Sequence, residues 1–502
     1  MFAQLYQSDV QETAGDVQST TQSTNMQSTV SGMCTSRRYV VFLLIITYFL
    51  AGGIFAHQCP QYTQHRMAEH YRHMLNDSTK DRHSKSLCHE NKTDPSYIVF
   101  THIQQDAAKW SIFYPLASKL PALVTNIVLS TYSDVLGRRL VFIICLSGAT
   151  ARILLFTLVI WLKLSLSYIV LGCVIDGLTG SFTTFFAALY SYISDITLPD
   201  KQRTIFIVLS ELIRSIVITC SSIITGNLIS QVGFFIPALV SLFVELLGLV
   251  VAICFLPETV QTLSQNEAIV VETPSQTGSR TCRCVMRMLG RISETLKFYI
   301  EKGPRFRRRK YILLILGFLF FGIPGLNRSV IETLYLLGRP FCWSSDKIGW
   351  FHAAQTAISA SCAMIITYAF RKYISDQLIA TISVVCVGVS YIIEGVANNE
   401  PVFYSVTVLT AVSTLPIPMI RSLMSSLTPQ DKQGALNASI GFVEGICALV
   451  GAASNNTIYS TTMTIYNGFV FFLMSALTFP SAVFLISFIV LTRLEKKTQT
   501  EI

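Results

Sequence analysis

Long apolar stretches alternate with polar segments along most of the chain. Twelve of these stretches are each about as long as the roughly 20 residues with which an α-helix crosses a bilayer. They lie at about 39–57, 110–133, 139–162, 165–194, 204–230, 234–256, 309–336, 347–370, 374–397, 401–426, 434–459 and 466–492. Strands of a membrane barrel would alternate apolar and polar positions, whereas these stretches are continuous. The pattern predicts an all-α membrane protein with twelve transmembrane helices.

The composition narrows the class of protein further. The 502 residues are 51% hydrophobic and 13% charged, whereas soluble domains carry about 25% charged residues. This excludes a soluble enzyme, a disordered chain and a nucleic-acid-binding module as first interpretations. The sequence also lacks the Gly-Lys-Ser/Thr loop that cradles phosphates in ATP-driven pumps. We therefore expect no enzymatic activity, no cofactor and no bound metal.

The polar segments predict how the chain is divided. Residues 1–36 are rich in Ser, Thr and Gln and predict a disordered cytosolic tail. The other predicted units are an N-terminal six-helix bundle at 37–256, a cytosolic basic linker at 257–308, a C-terminal six-helix bundle at 309–492 and a cytosolic tail at 493–502. Within the first bundle, residues 58–109 form an outside loop with glycosylation sequons at Asn76 and Asn91.

Lysine and arginine residues predict the orientation in the membrane, because they accumulate on the cytosolic side. With twelve helices, one face collects Arg37, Arg38, Arg138, Arg139, Lys201, Arg203, a cluster at 280–310, Arg371, Lys372, Lys432, Lys496 and Lys497. Both termini are then cytosolic, and the sequons independently fall outside. The net charge of +9 thus mainly orients the helices. It also attracts anionic membrane lipid to the central cluster and does not indicate a nucleic-acid partner.

A short motif follows the second predicted helix, Ser133-Asp134-Val135-Leu136-Gly137-Arg138-Arg139. Together with the layout of six helices, a basic linker and six helices, it resembles the major-facilitator transporters, which carry Asp-x-x-Gly-Arg-Arg in the same loop. The resemblance implies two six-helix bundles that rock about a central solute cavity. It also implies a gating latch formed by Asp134, Gly137, Arg138 and Arg139. The alternative is a tight turn whose arginines only set the topology.

Other segments resemble a narrower family. They are Leu171-Gly172, Ser194-Asp195, Thr333-Leu334-Tyr335, Pro340-Phe341-Cys342-Trp343, Ile348-Gly349, Ala353-Ala354-Gln355 and Gln433-Gly434-Ala435-Leu436. Over about 39–492 the chain is similar to the proton-coupled folate transporter family, which includes the thymic stromal cotransporter. The resemblance implies a solute carrier for organic anions or similar metabolites that protons can drive. Ser181 and Thr356 stand where that family has Asp and His, which weakens the case for folate as the substrate.

Ionisable residues inside the predicted helices are costly in lipid, so they are functional candidates. Glu211 matches the helix-five position that the family links to protons, and Glu332 and Asp176 are further proton-coupling candidates. Glu211 and Arg214 lie three residues apart on one helix face, so a structural ion pair is the alternative. Lys119 and Arg152 rank lower because their side chains can snorkel toward a helix end.

Substrate contacts are predicted from cations, acids and aromatic residues in the helices. Arg421 follows two prolines on helix ten, and its guanidinium suits a substrate carboxylate; an anchor at the helix end is the alternative. The full set of candidates is Arg421, Arg328, Arg214, Glu394, Glu444, Phe185 and Tyr335. Phe185 belongs to an aromatic row on helix four, for which packing is the alternative. The row consists of Phe182, Phe185, Phe186 and Tyr190.

Three cysteines fall on the predicted outside, Cys59, Cys88 and Cys342. The family resemblance implies a disulfide between Cys88 and Cys342, rather than one with Cys59, that joins the two bundles. Three free thiols are the alternative.

Taken together, the sequence predicts a secondary-active carrier that moves a small organic, anionic metabolite by alternating access, with protons as the second partner. We expect a monomer or weak homodimer in the plasma membrane, with the endolysosomal membrane as the alternative location. Two other interpretations stay open: a receptor or scaffold built on a transporter fold, and a facilitator that does not use protons.

Overall fold

A computed structural model describes residues 21–74, 95–197, 201–259, 307–370, 373–428 and 433–500. These residues form fifteen α-helices: α1 Thr21–Met74, α2 Pro95–Leu136, α3 Arg138–Leu162, α4 Ser167–Leu178, α5 Ser181–Ile196, α6 Lys201–Val232, α7 Phe235–Cys254, α8 Arg307–Gly325, α9 Arg328–Leu337, α10 Ser345–Ile365, α11 Asp376–Val396, α12 Glu400–Thr410, α13 Pro416–Ser426, α14 Gln433–Thr462 and α15 Phe469–Thr500. A π-helical turn, Ile366–Phe370, extends α10. Asn76, Asn91, Cys88 and most of the 257–308 linker lie outside the described residues.

Three of the membrane spans are each built from two helices. The breaks separate α4 from α5, α8 from α9 and α12 from α13. Gly180 forms the first break with a φ of +101°, a conformation that glycine adopts without strain. Pro324 and Gly325 end α8 at the second. With each pair taken as one span, the described helices make up the twelve spans that the hydropathy pattern predicts.

Two helices extend beyond their predicted ends. α1 begins at Thr21, within the tail predicted to be disordered, and it continues to Met74, while α2 begins at Pro95. The predicted 58–109 loop is therefore largely helical. Hydropathy misses these turns because they carry polar residues that bond internally: Thr63 Oγ1 donates to the Cys59 carbonyl at 2.8 Å, and Gln58 Nε2 donates to the Phe234 carbonyl.

Eight helical stretches of the described chain are long and apolar enough to cross a membrane, judged by length and composition. They are Val40–Tyr71, Arg138–Leu162, Ser167–Ile196, Phe206–Val232, Phe235–Cys254, Arg307–Leu337, Asp376–Val396 and Phe469–Glu495. The other four spans are α2, α10, the α12–α13 pair and α14. They are more polar because part of their surface faces protein: Gln104, Asn455 and Asn456 are buried.

Each half of the molecule has its own apolar core. The N-terminal half packs around Phe142 and Phe185, with a second cluster around Phe156. The C-terminal half packs around a larger cluster that includes Phe318 and Phe351. Separate cores allow the halves to move as rigid units, which is the arrangement that alternating access requires.

The halves meet where α6 packs on α10 and α2 packs on α14. We name the two ends of the molecule the basic face, where Gly137 and Arg307 lie, and the opposite face, where Lys163 and Gly338 lie. Near the opposite face, Gln104 Nε2 donates to the Leu334 carbonyl at 3.3 Å. The molecule is therefore closed between its halves at the opposite face.

A crossing of two glycines brings α6 and α10 together at this closure. A Cβ atom on Gly226 would lie 2.7 Å from the Ser345 carbonyl oxygen and 3.0 Å from the Gly349 Cα. A Cβ atom on Gly349 would lie 2.5 Å from the Ser222 carbonyl oxygen. Backbone atoms occupy the space that a Cβ atom would need at both positions, so the helices can approach this closely only because both residues are glycines.

Candidate functional site

An aromatic wall lines the N-terminal half beside the space between the halves. It consists of Phe49 from α1 and Phe182, Phe186 and Tyr190 from α5, with the α5 residues spaced four apart along one face. The ring centroids of Phe182 and Phe186 are 4.6 Å apart, and those of Phe186 and Tyr190 are 5.5 Å apart. Phe49 lies 5.4 Å from Phe186. Phe49 is buried and supports the wall from behind, so the ring surface exposed along it is that of Phe182, Phe186 and Tyr190.

An acid–base pair stands at the Tyr190 end of this wall. Glu211 and Arg214 of α6 are joined by bonds of 2.8 Å and 2.6 Å to one carboxylate oxygen. The Tyr190 hydroxyl donates a hydrogen bond to the other oxygen. The Arg214 guanidinium lies 5.9 Å from the ring centroids of both Phe49 and Phe186. The side chains of Glu211 and Arg214 are 38% and 29% exposed, so the protein does not fully enclose the pair.

A second pair belongs to the C-terminal half. Arg421 of α13 bonds Glu444 of α14 through one terminal nitrogen, while its buried Nε has no hydrogen-bond partner among the described residues. The Arg421 side chain is 41% exposed. Arg421 also lies close enough to Tyr190 to act on it electrostatically. Predicted candidates from both halves therefore converge on one partly exposed region, which we call the central site.

A buried cluster in the C-terminal half joins two acids to one arginine. Arg328 Nε donates to Glu332 at 2.7 Å, and Arg328 also bonds Glu394 of α11. The guanidinium lies 5.0 Å from the Tyr391 ring centroid. Glu332 and Glu394 are 1% and 0% exposed. Arg328 and Glu332 meet along α9, Glu394 joins them from α11, and burial separates all three from the central site.

Two histidines extend the buried cluster across to the N-terminal half. His352 Nδ1 lies 3.9 Å from Glu332, and its Nε2 shares a 3.1 Å hydrogen bond with the Thr333 hydroxyl. The His352 ring is 5.5 Å from that of His57 on α1, and His57 Nε2 is 2.7 Å from the Ser222 hydroxyl. Neither His352 nor His57 is among the candidates named from the sequence. An ionisable residue inside an apolar segment is the signal that marks both.

A third charged group is enclosed in the N-terminal half. Asp176 accepts a 3.0 Å hydrogen bond from Ser118 and lies 3.7 Å from Arg152. Glu245 on α7 is 1% exposed, and neither of its carboxylate oxygens has a hydrogen-bond partner among the described residues. Asp176 is 1% exposed, so the structure places this proton-coupling candidate in the bundle interior rather than on the wall.

Two aromatic candidates belong to the cores. Phe185 is fully buried, and its ring stacks on Tyr48 at 3.9 Å. Tyr335 packs against Phe341 and Phe471, and its hydroxyl donates to the Ala397 carbonyl at 3.3 Å. The residues that face the central site are the neighbours of Phe185 in the same row, because the break at Gly180 sets the rotation of α5.

The Gly137 turn organises the basic face of the N-terminal half. Gly137 has a φ of +93°, and the Glu258 carboxylate accepts the backbone N–H groups of Arg138 at 2.8 Å and Arg139 at 3.1 Å. This carboxylate satisfies free donors at the start of α3. Arg138 Nε also donates to Asp195 at 3.1 Å. The side chain of Asp134 lies outside the described ones.

We predict that Gly137→Ala will lower stability by about 1–3 kcal/mol, because it adds backbone strain and drives a methyl group into Glu258. Thermal unfolding in detergent measures the loss. Gly233→Ala is the matched control, since Gly233 has a φ of +79° and open space around its Cβ position. Equal losses in the two variants would mean that the Glu258 contact contributes nothing.

The structure describes two of the three cysteines that the sequence places on the outside, Cys59 and Cys342. Cys342 is disulfide-bonded, whereas Cys59 is a free, buried thiol. Cys88 lies outside the described residues, so its pairing with Cys342 stays a prediction.

An exposed acid also bridges the halves at the opposite face. Ser230 Oγ donates to Asp346 Oδ1 at 3.0 Å, just before the span predicted at 347–370. Hydrogen bonds from Ser344 and Ser230 lower the pKa of Asp346 below its ordinary value of 3.8. Its contribution to the closure is therefore present above that ordinary value and is lost only as the pH falls through the lowered pKa. Asp346 stays ionised near neutral pH and does not act as a sensor there.

Twelve helical spans in two halves, with ionisable groups enclosed within the spans and at the junction of the halves, define a membrane solute transporter. A sequence model of the Major Facilitator Superfamily matches residues 44–452, and the chain belongs to this family. It is accordingly a solute carrier and not an enzyme.

Several curated proteins are similar over most of their length. The lysosomal proton-coupled steroid conjugate and bile acid symporter of Gallus gallus is 24% identical over 437 residues, which cover 86% of this chain and 90% of the relative. The proton-coupled folate transporter of Bos taurus is 24% identical over 445 residues, covering 88% and 90%. These relatives confirm the resemblance that the sequence motifs indicate.

Solved structures share the fold. A D-xylose–proton symporter superposes with a TM-score of 0.62 at 13% identity, over 90% of this chain and 97% of that protein. The human organic anion transporter MFSD10 gives a TM-score of 0.55 at 16% identity, over 90% and 99%. At these identities the likeness concerns the fold alone.

Proposed function

We propose that the protein is a proton-coupled symporter of ring-bearing organic anions. The observation that carries this proposal is the central site, where two partly exposed pairs, Glu211–Arg214 and Arg421–Glu444, lie near the Tyr190 end of an aromatic wall. The rings suit the apolar body of a solute. The guanidinium groups suit a carboxylate or sulfate, which they can bind through two parallel hydrogen bonds.

The charge balance of the pairs explains why proton and anion would move together. In each pair the glutamate neutralises the arginine, so an anion that enters the site has to compete with a carboxylate. A proton on Glu211 or Glu444 removes that competitor and releases the guanidinium for the solute. Proton and anion then favour each other's binding, and this coupling is reciprocal. The loaded site carries no more net charge than the empty one, which lowers the cost of closing it.

The names of the relatives support both parts of the proposal, the proton coupling and the anionic substrate. One is called a proton-coupled symporter of steroid conjugates and bile acids, and the other a proton-coupled folate transporter. Steroid conjugates and bile acids are amphipathic anions with fused rings, and they fit the chemistry of an aromatic wall with cations at its edge.

The orientation follows from the same proposal. Arg138, Arg139 and Arg307 to Lys310 would place the basic face in the cytosol, with both termini on that side. The closed opposite face would then be the outer one, and the central site would open inward. We propose the plasma membrane as the location. The endolysosomal membrane is the alternative, and imaging of a tagged protein against markers of both decides between them.

We predict that uptake will rise as the outside pH falls, and that Glu211→Gln will flatten this dependence, because the amide cannot take up a proton. Initial rates of estrone 3-sulfate uptake in proteoliposomes between pH 5 and 8 measure it. Glu400→Gln is the matched control, since Glu400 is an exposed acid that pairs with Lys347 at the opposite face.

Other outcomes are informative. An unchanged pH profile in Glu211→Gln would contradict this residue's role and turn attention to Glu332. Equal uptake with and without a pH gradient would identify a facilitator that does not use protons. No uptake of any organic anion by the wild-type protein would leave the receptor interpretation.

A further inference from the structure

Lys119 stands deep in the membrane at the end of the aromatic wall that lies away from Arg214. It belongs to α2, between Pro115 and Pro121, and its ammonium lies 5.4 Å from the Phe182 ring centroid. Beside it a narrow crevice runs between α2 and α14, lined also by Asn126, Thr183 and Gly441. Lys119 thus faces the junction of the two halves.

The side chain cannot reach either membrane surface by snorkelling. With a rise of about 1.5 Å per residue, Lys119 lies roughly 13 Å and 21 Å from the two ends of the predicted span at 110–133. The four-carbon stem of a lysine is shorter than either distance. Lys119 ranks low in the sequence analysis because its side chain is expected to snorkel, and the depth of the residue removes that reason.

Lys119 also differs from the other cations in the spans. Each of the four intramembrane arginines has a carboxylate partner: Arg152 has Asp176, Arg214 has Glu211, Arg328 has Glu332 and Glu394, and Arg421 has Glu444. No carboxylate of the described residues lies within ion-pair distance of Lys119. Asp176 and Glu444 attract its charge from further away, and Arg152 repels it.

An unpaired ammonium at this depth is costly unless an anion joins it. We infer that Lys119 binds the anionic group of the transported solute while the rings of the solute lie on the aromatic wall. This inference rests on the proposed function and makes its substrate class more specific.

The dimensions of the wall define the solute. Phe182 and Tyr190 are eight residues apart on α5, which separates the two ends of the wall by about 12 Å. Lys119 stands at one end, and Arg421 lies within electrostatic range of the other. The fitting substrate is an elongated, ring-bearing amphipathic anion with oxygen-bearing groups at both ends. Lys119 binds an anionic group at the Phe182 end, and the guanidinium released by protonation binds a second acceptor group at the Tyr190 end. The competing pull of Glu444 on Lys119 would weaken when Glu444 takes a proton, so proton binding favours this arrangement too.

Lys119→Met tests the inference, with estrone 3-sulfate as the anionic probe and estrone as its neutral parent. Methionine keeps the length of the stem and removes the charge. We expect the KM for estrone 3-sulfate uptake to rise at least tenfold, and Lys119→Arg to stay within threefold of the wild type. Lys109→Met is the matched control, because Lys109 is an exposed lysine on the same helix, 2.9 Å from Asp106.

Stability separates a binding role from a structural one. Because Lys119 is an uncompensated charge, Lys119→Met should unfold at the same or a higher temperature without ligand. Estrone 3-sulfate should stabilise the wild type more than this variant, whereas any stabilisation by estrone should be equal in both. A lower unfolding temperature with an unchanged KM would overturn the inference and make Lys119 structural.

The proposed function and the inference about Lys119 can be contradicted separately. If the wild-type protein binds estrone 3-sulfate through Lys119 but uptake ignores the pH gradient, proton coupling is wrong and the inference stands. If Lys119→Met binds the anion as tightly as the wild type while uptake remains pH-dependent, the inference is wrong and the proposed function stands.

Discussion

Gly226→Ala and Gly349→Ala will each lower transport at least tenfold while the protein remains folded. A single methyl group at either position meets backbone atoms of the other helix, 2.5–2.7 Å away, that no side-chain rotation can relieve. Alanine is also about 1 kcal/mol more favourable than glycine in a helix, so each helix by itself is not weakened. The added methyl therefore acts on the closure between α6 and α10. A carrier that cannot close its opposite face cannot complete an alternating-access cycle.

Two measurements separate lost closure from lost folding. One measurement is uptake. The other is maleimide labelling of Gln104→Cys, which reports closure because Gln104 is buried between the halves when the opposite face is closed. Labelling from that face should increase in both glycine variants. Gly52→Ala is the matched control, since a Cβ atom there meets nothing within 4 Å. Full transport by Gly226→Ala would show that α6 and α10 never need to approach this closely.

Arg328→Met will destabilise the protein by about 3–5 kcal/mol, the usual effect of removing one partner from a buried ion pair. Glu332 and Glu394 both depend on this guanidinium, and both are almost completely enclosed. Without it, two buried carboxylates face each other and lose their main hydrogen-bond donor. Thermal unfolding in detergent and the yield of monodisperse protein measure the effect.

The rescue experiment makes this prediction specific. Arg328→Met combined with Glu332→Gln and Glu394→Gln removes all three charges, and we expect it to recover most of the lost stability. Arg66→Met is the matched control for losing an arginine, because Arg66 bonds Glu69 at a partly exposed site. If the triple variant is no more stable than Arg328→Met, lost packing rather than unpaired charge explains the damage.

The spans were predictable because lipid imposes a simple rule on long apolar segments. The rule weakens where a helix faces protein, so it predicts α1 and α2 too short. The outer turns of α1 bury Gln58 and Thr63, and those of α2 bury Gln104. It also ran through the break at Gly180, since one glycine hardly changes hydropathy. That break sets the rotation of α5, which is why Phe182 and Phe186 reach the central site and Phe185 does not.

The partners of the charges were predictable only when they shared a helix. Glu211 with Arg214, and Arg328 with Glu332, follow from spacings of three and four residues. The bonds of Arg421 to Glu444 and of Arg328 to Glu394 join different helices, 23 and 66 residues apart in the chain. Sequence spacing holds no information about them. The same holds for His57 and His352, which approach each other only because the two halves are closed.

The contact between His57 and His352 has a consequence for timing. It exists only while the opposite face is shut, so opening that face must part the two imidazole rings and bring bulk water to Glu332. Any exchange of protons by these groups is then confined to the compartment on that side and to one phase of each turnover. The enclosed acids would equilibrate with the pH of that compartment once per cycle and would keep that protonation state until the face opens again.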